Sequence, residues 1–488
     1  MDALKRLVRF LHRSDGSLHQ KVIRSGVWVG VSSIAVAALT FLRSIALARL
    51  LTPEIFGLMA VSLMATRLIE IFTETGFGQA LVHRQERFEE ARDTAFTLFV
   101  LRGFGLAAVS VVAAPWVASF YDEPVLRGVV ALVGVSFILM GFQNINTVAL
   151  QKDLDFRRLT YMELTGSLLS FLVAVGLAYR LRSVWALVFA QVAAAGISSV
   201  LSFVMVPARL RFRFDFAIAR ELYRYGRFIT GLAVVVFISR ELDSAVVGKL
   251  IGMQALGYYV AAYSLANIPS TYLSKIIARV LFPLFSRLQN DPVALKAEYA
   301  RSLKLTMTVV VPVSVVIIVL APEIVRVLYG DRWSAAAGPL RVLAVFGCFR
   351  ALWMINGYLY NATGRPQIDF YVNLARLAFI ALLLLPLSSR YGVVGASVAV
   401  TLPMVAQFLL GVYLSRRFID APARMAFGPF ATAAGQGAVL ALVLGVSKFV
   451  MSADPRIGLV GLLAISGAVW IAFNGRRIRS LMAVQGVK

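Results

Sequence analysis

The sequence predicts an all-α integral membrane protein with about 14 transmembrane helices. Two observations predict this class. Of the 488 residues, 59% are hydrophobic and only 15% are charged, whereas about a quarter of the residues of a soluble domain are charged. Apolar runs of roughly 20 residues, the length that crosses a bilayer, also recur along the whole chain.

The apolar runs place the spans, and short polar or basic stretches separate them. In chain order the predicted spans are 25–48, 55–82, 94–114, 126–149, 161–180, 184–206, 227–248, 256–287, 302–321, 335–360, 367–387, 393–415, 430–451 and 457–474. Residues 1–20 form a basic amphipathic segment that is expected to lie on the cytoplasmic surface. A disordered basic tail is the alternative.

The distribution of Lys and Arg predicts the orientation of the spans. With the N-terminus in the cytoplasm, and with basic residues at the ends of spans counted with the adjoining loop, that side holds 30 of the 49 basic residues, the opposite side holds 10, and nine lie deeper within spans. This threefold bias predicts an even number of spans with both termini in the cytoplasm. It also explains most of the net charge of +24 by membrane orientation rather than by binding to nucleic acid.

An internal repeat divides the spans into two halves. The sequence RLLTPEIFGLMAVS at residues 49–62 resembles KLIGMQALGYYVAA at residues 249–262, with Gly57 and Gly257 in equivalent positions. Six spans separate the copies, so both halves have the same orientation. This predicts two parallel six-helix repeats followed by a C-terminal helix pair. The predicted N-lobe, C-lobe and C-terminal region occupy residues 21–226, 227–420 and 421–488.

Charged residues inside the spans are the functional candidates, because a charge within a bilayer is costly unless it faces water, a partner or a ligand. The cations of interest are Arg43, Arg67, Lys275 and Arg279. Lys275 and Arg279 are four residues apart and therefore share one helical face. The alternative for Arg279 is that its side chain extends to the interface.

The acidic candidates inside the spans are Glu70, Glu74 and Asp243. One interpretation is local neutralisation at a spacing of three residues, by Arg67 for Glu70 and by Arg240 for Asp243. Arg43 and Asp243 also occupy equivalent positions of the repeat, which would allow a pair across the seam between the halves.

Amide side chains give spans 4 and 10 a polar character: Gln143, Asn144 and Asn356. Such amides either bond to neighbouring helices or line a wet cavity, and the bonding role is favoured.

Three segments resemble bacterial polysaccharide-repeat-unit flippases, the Wzx-like members of the polysaccharide-transporter branch of the MOP superfamily. They are LARLLTPEIFGLMAV (47–61), VVGKLIGMQALGYYVAAY (246–263) and IIARVLFPLFSRLQND (276–291). The resemblance implies two six-helix lobes around a central cavity, with extra C-terminal helices. It further implies transfer of undecaprenyl-pyrophosphate-linked oligosaccharides across the bacterial inner membrane for lipopolysaccharide, capsule or exopolysaccharide synthesis, and no enzymatic activity.

The resemblance also suggests a role for each set of candidates. Cavity cations would meet the pyrophosphate, which selects Arg43, Arg67, Lys275 and Arg279. The amides Gln143, Asn144 and Asn356 would contact sugar. The carboxylates Glu70, Glu74 and Asp243 would couple transport to H⁺ or Na⁺, with no other cofactor. The expected partners are the lipid-linked oligosaccharide, membrane lipids, and a polysaccharide polymerase with its chain-length machinery.

Three alternatives stay open at this point. A lipid II flippase would differ only in the sugar that it carries. A multidrug exporter of the same superfamily would favour an acidic cavity, whereas the spans here hold more Arg and Lys than Asp and Glu. A membrane glycan polymerase or acyltransferase usually needs a large outer loop or a histidine within a span, and the three histidines lie outside the predicted spans.

Overall fold

The fold is a succession of long helices, described here from a computed structural model that covers residues 18–71, 88–147, 150, 156–206, 210–216, 237–422, 424–450 and 455–484. The helices of the first half are α1 (Leu18–Leu50), α2 (Pro53–Ile71), α3 (Phe88–Tyr121), α4 (Val125–Gly141), α5 (Phe156–Leu181) and α6 (Val184–Met205). A further helix, α7, is described over residues 237–250.

The second half continues with α8 (Met253–Ala266), α9 (Ile268–Leu288), α10 (Pro292–Val319), α11 (Ala321–Leu328), α12 (Ala337–Ala362), α13 (Pro366–Ile419), α14 (Arg424–Val450) and α15 (Pro455–Val484). A short 3₁₀ helix, Asp331–Ala336, precedes α12. Each predicted span therefore has a helix at its position. Eight of the described helices are long and apolar enough to cross a membrane. The chain is a multi-pass membrane protein, and the total of 14 spans stays a prediction.

Three predicted spans do not correspond to one helix each. Span 8 is divided at Asn267 into α8 and α9. Spans 11 and 12 follow one another within α13, which turns back at Gly392, where the backbone has φ 57° and ψ −138°. An L-residue with a side chain rarely adopts such angles, so glycine permits the tight turn.

The contacts divide the chain into two compact units, Met1–Leu242 and Asp243–Lys488. We call them the first and the second unit. The division lies inside the seventh predicted span, close to the predicted lobe boundary between residues 226 and 227. The exact lobe boundaries stay a prediction.

The repeat seen in the sequence recurs in the backbone of the two units. Leu51 N–H donates to the carbonyl of Leu47 at 2.9 Å, and Ile251 N–H donates to the carbonyl of Val247 at 3.0 Å. Both bonds end a helix just before the matched turn, 200 residues apart. Positive φ angles also occur in matched turns, at Asp122 and Gly330 and again at Arg182 and Gly392.

The C-terminal helices α14 and α15 lie within the second unit and pack beside α10 and α11. The buried residues of this contact are Leu320, Leu440, Leu444, Leu459 and Leu462. Lys448 Nζ lies 2.6 Å from Glu323 Oε1, and the indole of Trp470 donates to the carbonyl of Thr308 at 2.8 Å. These contacts hold the predicted C-terminal pair against α10 and α11.

Candidate functional site

A half-open cavity of about 330 Å³, lined by both polar and apolar side chains, lies in the first unit, where α1, α5 and α6 meet. Helix α1 contributes Val36, Leu39, Thr40 and Arg43; α5 contributes Met162, Glu163, Gly166, Ser167 and Ser170; and α6 contributes Ala194 and Ser198. The three helices correspond to predicted spans 1, 5 and 6. A cavity with this lining is a candidate site because polar groups at membrane depth are otherwise costly.

Arg43 is the cation of this cavity. Its guanidinium carries five N–H donors in a planar fork that suits the oxygen atoms of phosphate. The hydroxyls of Ser167, Ser170 and Ser198 line the same space, and each can donate or accept a hydrogen bond. Together these groups suit a ligand that combines negative charge with hydroxyls.

Glu163 also lines the cavity and was not among the residues predicted from the sequence. Its carboxylate accepts a hydrogen bond from the hydroxyl of Ser32, which joins α5 to α1. A signal was present in the sequence, because Glu163, Gly166, Ser167 and Ser170 recur at spacings of one, three and four residues along span 5. The cavity therefore holds one cation and one carboxylate.

Of the three candidate amides, Gln143 lies nearest to this cavity. Its Nε2 donates to Ser198 Oγ at 3.3 Å, and Ser198 belongs to the lining. Gln143 can therefore position the hydroxyl of Ser198 or respond to a ligand beside it.

Asn144 and Asn356 instead form hydrogen bonds to neighbouring helices. Asn144 is fully buried, and its backbone N–H and side-chain amide donate to Ser202 Oγ and to the Ser202 carbonyl at 2.9 and 3.2 Å. Asn356 accepts from Tyr299 at 2.7 Å and from Ser415 at 3.4 Å. Both amides thus fill the bonding role that the sequence favoured, and sugar contact by them stays a prediction.

Arg67 and Glu70 of α2 each pair with a residue of another helix. Arg67 Nη1 lies 3.3 Å from Glu241 Oε1 of α7. Glu70 lies 4.0 Å from Arg102 of α3, whose guanidinium also donates to the Glu70 carbonyl at 3.3 Å. The structure thus links these charges between helices, because side chains packed across an interface approach closely whatever their spacing in sequence.

Asp243 is buried at the start of the second unit. Its carboxylate accepts from the hydroxyl of Tyr259 at 2.5 Å and from Ser244 N–H at 2.8 Å. These bonds supply partners to a carboxyl group that would otherwise be costly to bury. The expected pairing with Arg43 joins different units and stays a prediction.

The remaining candidates can be located only in part. Lys275 and Arg279 belong to α9, but only their backbone positions are described. Glu74 lies outside the described residues altogether. Their expected roles stay predictions.

Comparison with known proteins shows the family of this chain. The sequence matches the family described as polysaccharide biosynthesis protein over residues 46–338, more than half of the chain. It is 24% identical to the teichuronic acid biosynthesis protein TuaB of Bacillus subtilis, over 91% of this chain and 93% of TuaB. It is 23% identical to the lipopolysaccharide biosynthesis protein WzxC of Escherichia coli, over 82% of this chain and 81% of WzxC.

Solved structures show the same fold. The chain is similar to the lipid II flippase MurJ in an inward closed conformation, with a TM-score of 0.76, 14% identity, and coverage of 93% of this chain and 99% of MurJ. It is also similar to an inward-facing multidrug resistance MATE transporter of the MOP superfamily, with a TM-score of 0.64, 13% identity, and coverage of 81% and 98%. The fold class predicted from the sequence is thus confirmed as that of MOP-type membrane proteins. The chain belongs to the polysaccharide biosynthesis protein family that its residues 46–338 match.

Proposed function

We propose that this protein is a flippase that moves lipid-linked oligosaccharide repeat units across the bacterial cytoplasmic membrane by alternating access. TuaB and WzxC are named for the biosynthesis of teichuronic acid and of lipopolysaccharide, and MurJ, which shares the fold, is named as a lipid II flippase. A repeat unit joined to undecaprenyl pyrophosphate combines an apolar tail, an anionic link and a hydroxyl-rich glycan.

The observation that carries this proposal is the cavity around Arg43. An anion inside a membrane protein needs a compensating charge and hydrogen-bond donors, because burying it alone costs several kcal/mol or more. Arg43 supplies the charge, and the serine hydroxyls with Thr40 supply polar groups at the same place. The cavity is large enough for a phosphate group or one sugar, so only part of the substrate would enter it.

The charges that line this cavity also help to distinguish a repeat-unit flippase from the competing functions. A multidrug exporter for organic cations would favour a cavity dominated by carboxylates, whereas Arg43 accompanies Glu163 here. A lipid II flippase would need the same pyrophosphate contacts, so this alternative is decided by the glycan and not by Arg43.

Coupling to H⁺ or Na⁺ is part of the proposal. Glu70, Glu74 and Asp243 are the carboxylates that the sequence suggests for this role. The proposed topology places both termini in the cytoplasm, as the bias of basic residues predicts. A polysaccharide polymerase with its chain-length machinery would use the exported repeat units on the far side.

The experiment is complementation of a bacterial strain that lacks its own repeat-unit flippase, with surface polysaccharide measured against the amount of inserted protein. We expect the wild-type chain to restore export, Arg43→Ala to reduce it about tenfold or more, and Arg43→Lys to retain part of it, because a charge near an anion contributes about 2–4 kcal/mol at an effective dielectric near 20. Arg49→Ala, in the last turn of α1 and outside the cavity lining, is the matched control. Full export by Arg43→Ala would contradict the assignment of the cavity.

A further inference from the structure

The predicted eighth span is broken at a defined residue. Asn267 ends α8 and precedes α9, with φ −90° and ψ −3°. Pro269 follows at the start of α9. Proline has no N–H to continue the helical ladder, and its ring disfavours a straight passage through this point. The backbone of Asn267 still bonds to Tyr263 and Thr271 on either side, so contacts to its side chain can adjust the direction of α9 relative to α8.

Helix α12 packs directly against this break. A Cβ atom on Gly347 would lie 2.3 Å from the carbonyl oxygen of Ala266, so only glycine allows the two backbones to approach as they do. The ring of Phe346 lies 5.6 Å from the ring of Tyr263. The end of α8 is thus fixed against α12 immediately before the break.

Arg350 lies one turn beyond Gly347 on α12 and contacts the break itself. Its Nη1 donates to Asn267 Oδ1 at 2.7 Å, a short distance typical of a bond from a charged donor. The same amide donates through Nδ2 to the carbonyl of Tyr263 at 2.9 Å, and Ser270 Oγ donates to the Asn267 carbonyl at 3.0 Å. Asn267 thus connects the last turn of α8, the first turn of α9 and a cation of α12.

We propose that Arg350 is a positioning residue, which holds the break in span 8 through Asn267 and so sets the direction of α9. Helix α9 contains Lys275 and Arg279. Arg350 would act on the substrate through the placement of α9. This inference rests on the proposed function for its consequence in transport, but the geometric part stands without any substrate.

Cysteine labelling tests the geometric part. The sequence has one cysteine, Cys348, so Cys348→Ser provides a cysteine-free background. Single cysteines are introduced at residues 271–282 of α9 and, as a control, at residues 256–263 of α8. Labelling with a membrane-impermeant thiol reagent is compared with and without Arg350→Gln. We expect labelling rates along α9 to change about fivefold or more, while the rates along α8 stay unchanged. The reason is that the loss of a charge-assisted hydrogen bond shifts an equilibrium between two positions of α9 by roughly tenfold.

Export by the full chain tests the consequence. Arg350→Gln and Asn267→Ala should each lower export about tenfold at equal inserted protein, and the double variant should be no worse than either single one. Arg341→Gln is the matched control, because Arg341 lies on α12 but is exposed. Asn267→Asp keeps the acceptor and should retain export.

Three results would overturn the inference. One is an unchanged α9 labelling pattern in both Arg350→Gln and Asn267→Ala, and another is an equal change along α8 and α9. The third is a double variant whose loss is the product of the single losses, since that would indicate that Arg350 acts on the substrate independently of Asn267. Because labelling needs no substrate, a wild-type chain that fails to restore export would contradict the proposed function while the test of Arg350 remains readable.

Discussion

Asn144, three residues beyond the end of α4, donates two hydrogen bonds to Ser202 of α6, one from its backbone and one from its side chain. Asn356 of α12 accepts a bond from Ser415 of α13, at nearly the same separation in the second unit. Each unit therefore uses an asparagine and a serine to join its fourth and sixth predicted spans. A buried polar pair of this kind specifies one packing of two apolar helices, which dispersion alone would leave less defined.

We predict that Asn144→Ala destabilises the protein by about 1–3 kcal/mol, because buried partners would be left without hydrogen bonds. The measurement is the thermal unfolding of purified protein in detergent. Asn146→Ala, two residues away, is the control and should have a much smaller effect. Equal unfolding temperatures for the Asn144→Ala variant and the wild type would contradict the structural role.

The glycines of the Gly103-Phe-Gly105 sequence should differ in their tolerance of alanine. A Cβ on Gly103 would lie 2.5 Å from the carbonyl oxygen of Phe137, whereas a Cβ on Gly105 meets no atom within 4 Å. We expect Gly103→Ala to force α3 and α4 apart and to destabilise the protein by roughly 1–3 kcal/mol. Gly105→Ala should be neutral or stabilising by up to about 1 kcal/mol. The comparison uses the same unfolding measurement, and equal effects of the two changes would contradict the close α3–α4 crossing.

Reporter fusions test the topology. The bias of basic residues predicts that fusions at Arg220 and Arg417 report a cytoplasmic position, while fusions at Asp122 and Asp331 report a periplasmic one. The fusions should be made with a pair of reporters, each active on one side only. The same side for Arg220 and Asp122 would refute the arrangement of 14 spans.

The repeat and the helices could be predicted from sequence because both depend on local patterns. Apolar length fixes a span, and a matched turn such as the one before Leu256 returns at a constant offset. The cavity could not be predicted in this way. Ser32 donates a hydrogen bond to Glu163, 131 residues away in the sequence, and Arg67 pairs with Glu241, 174 residues away. Such contacts depend on how helices pack, and a single sequence does not specify that packing.

Lys275 should matter for export more than Arg279. Two cations one turn apart on α9 would supply charge for a pyrophosphate, and each contributes about 2–4 kcal/mol at close range with an effective dielectric near 20. We therefore expect Lys275→Ala to lower export at least about tenfold with normal insertion, Lys275→Arg to be tolerated better, and Arg279→Ala to have a smaller effect. Surface polysaccharide in a flippase-deficient strain gives the measure. Wild-type export by the double alanine variant would show that the anion is met elsewhere.

The most direct test of the proposed function is flipping by the purified protein in sealed vesicles. A fluorescent oligosaccharide linked through pyrophosphate to a polyprenol is placed in the vesicle membrane, and a quencher that cannot cross the membrane reports how much of it has changed sides. We expect the protein to accelerate this exchange, Arg43→Ala to abolish most of the acceleration, and an analogue with an uncharged link to be moved poorly. No acceleration by properly inserted protein under an imposed H⁺ or Na⁺ gradient, or equal transport of the charged and uncharged lipids, would contradict it.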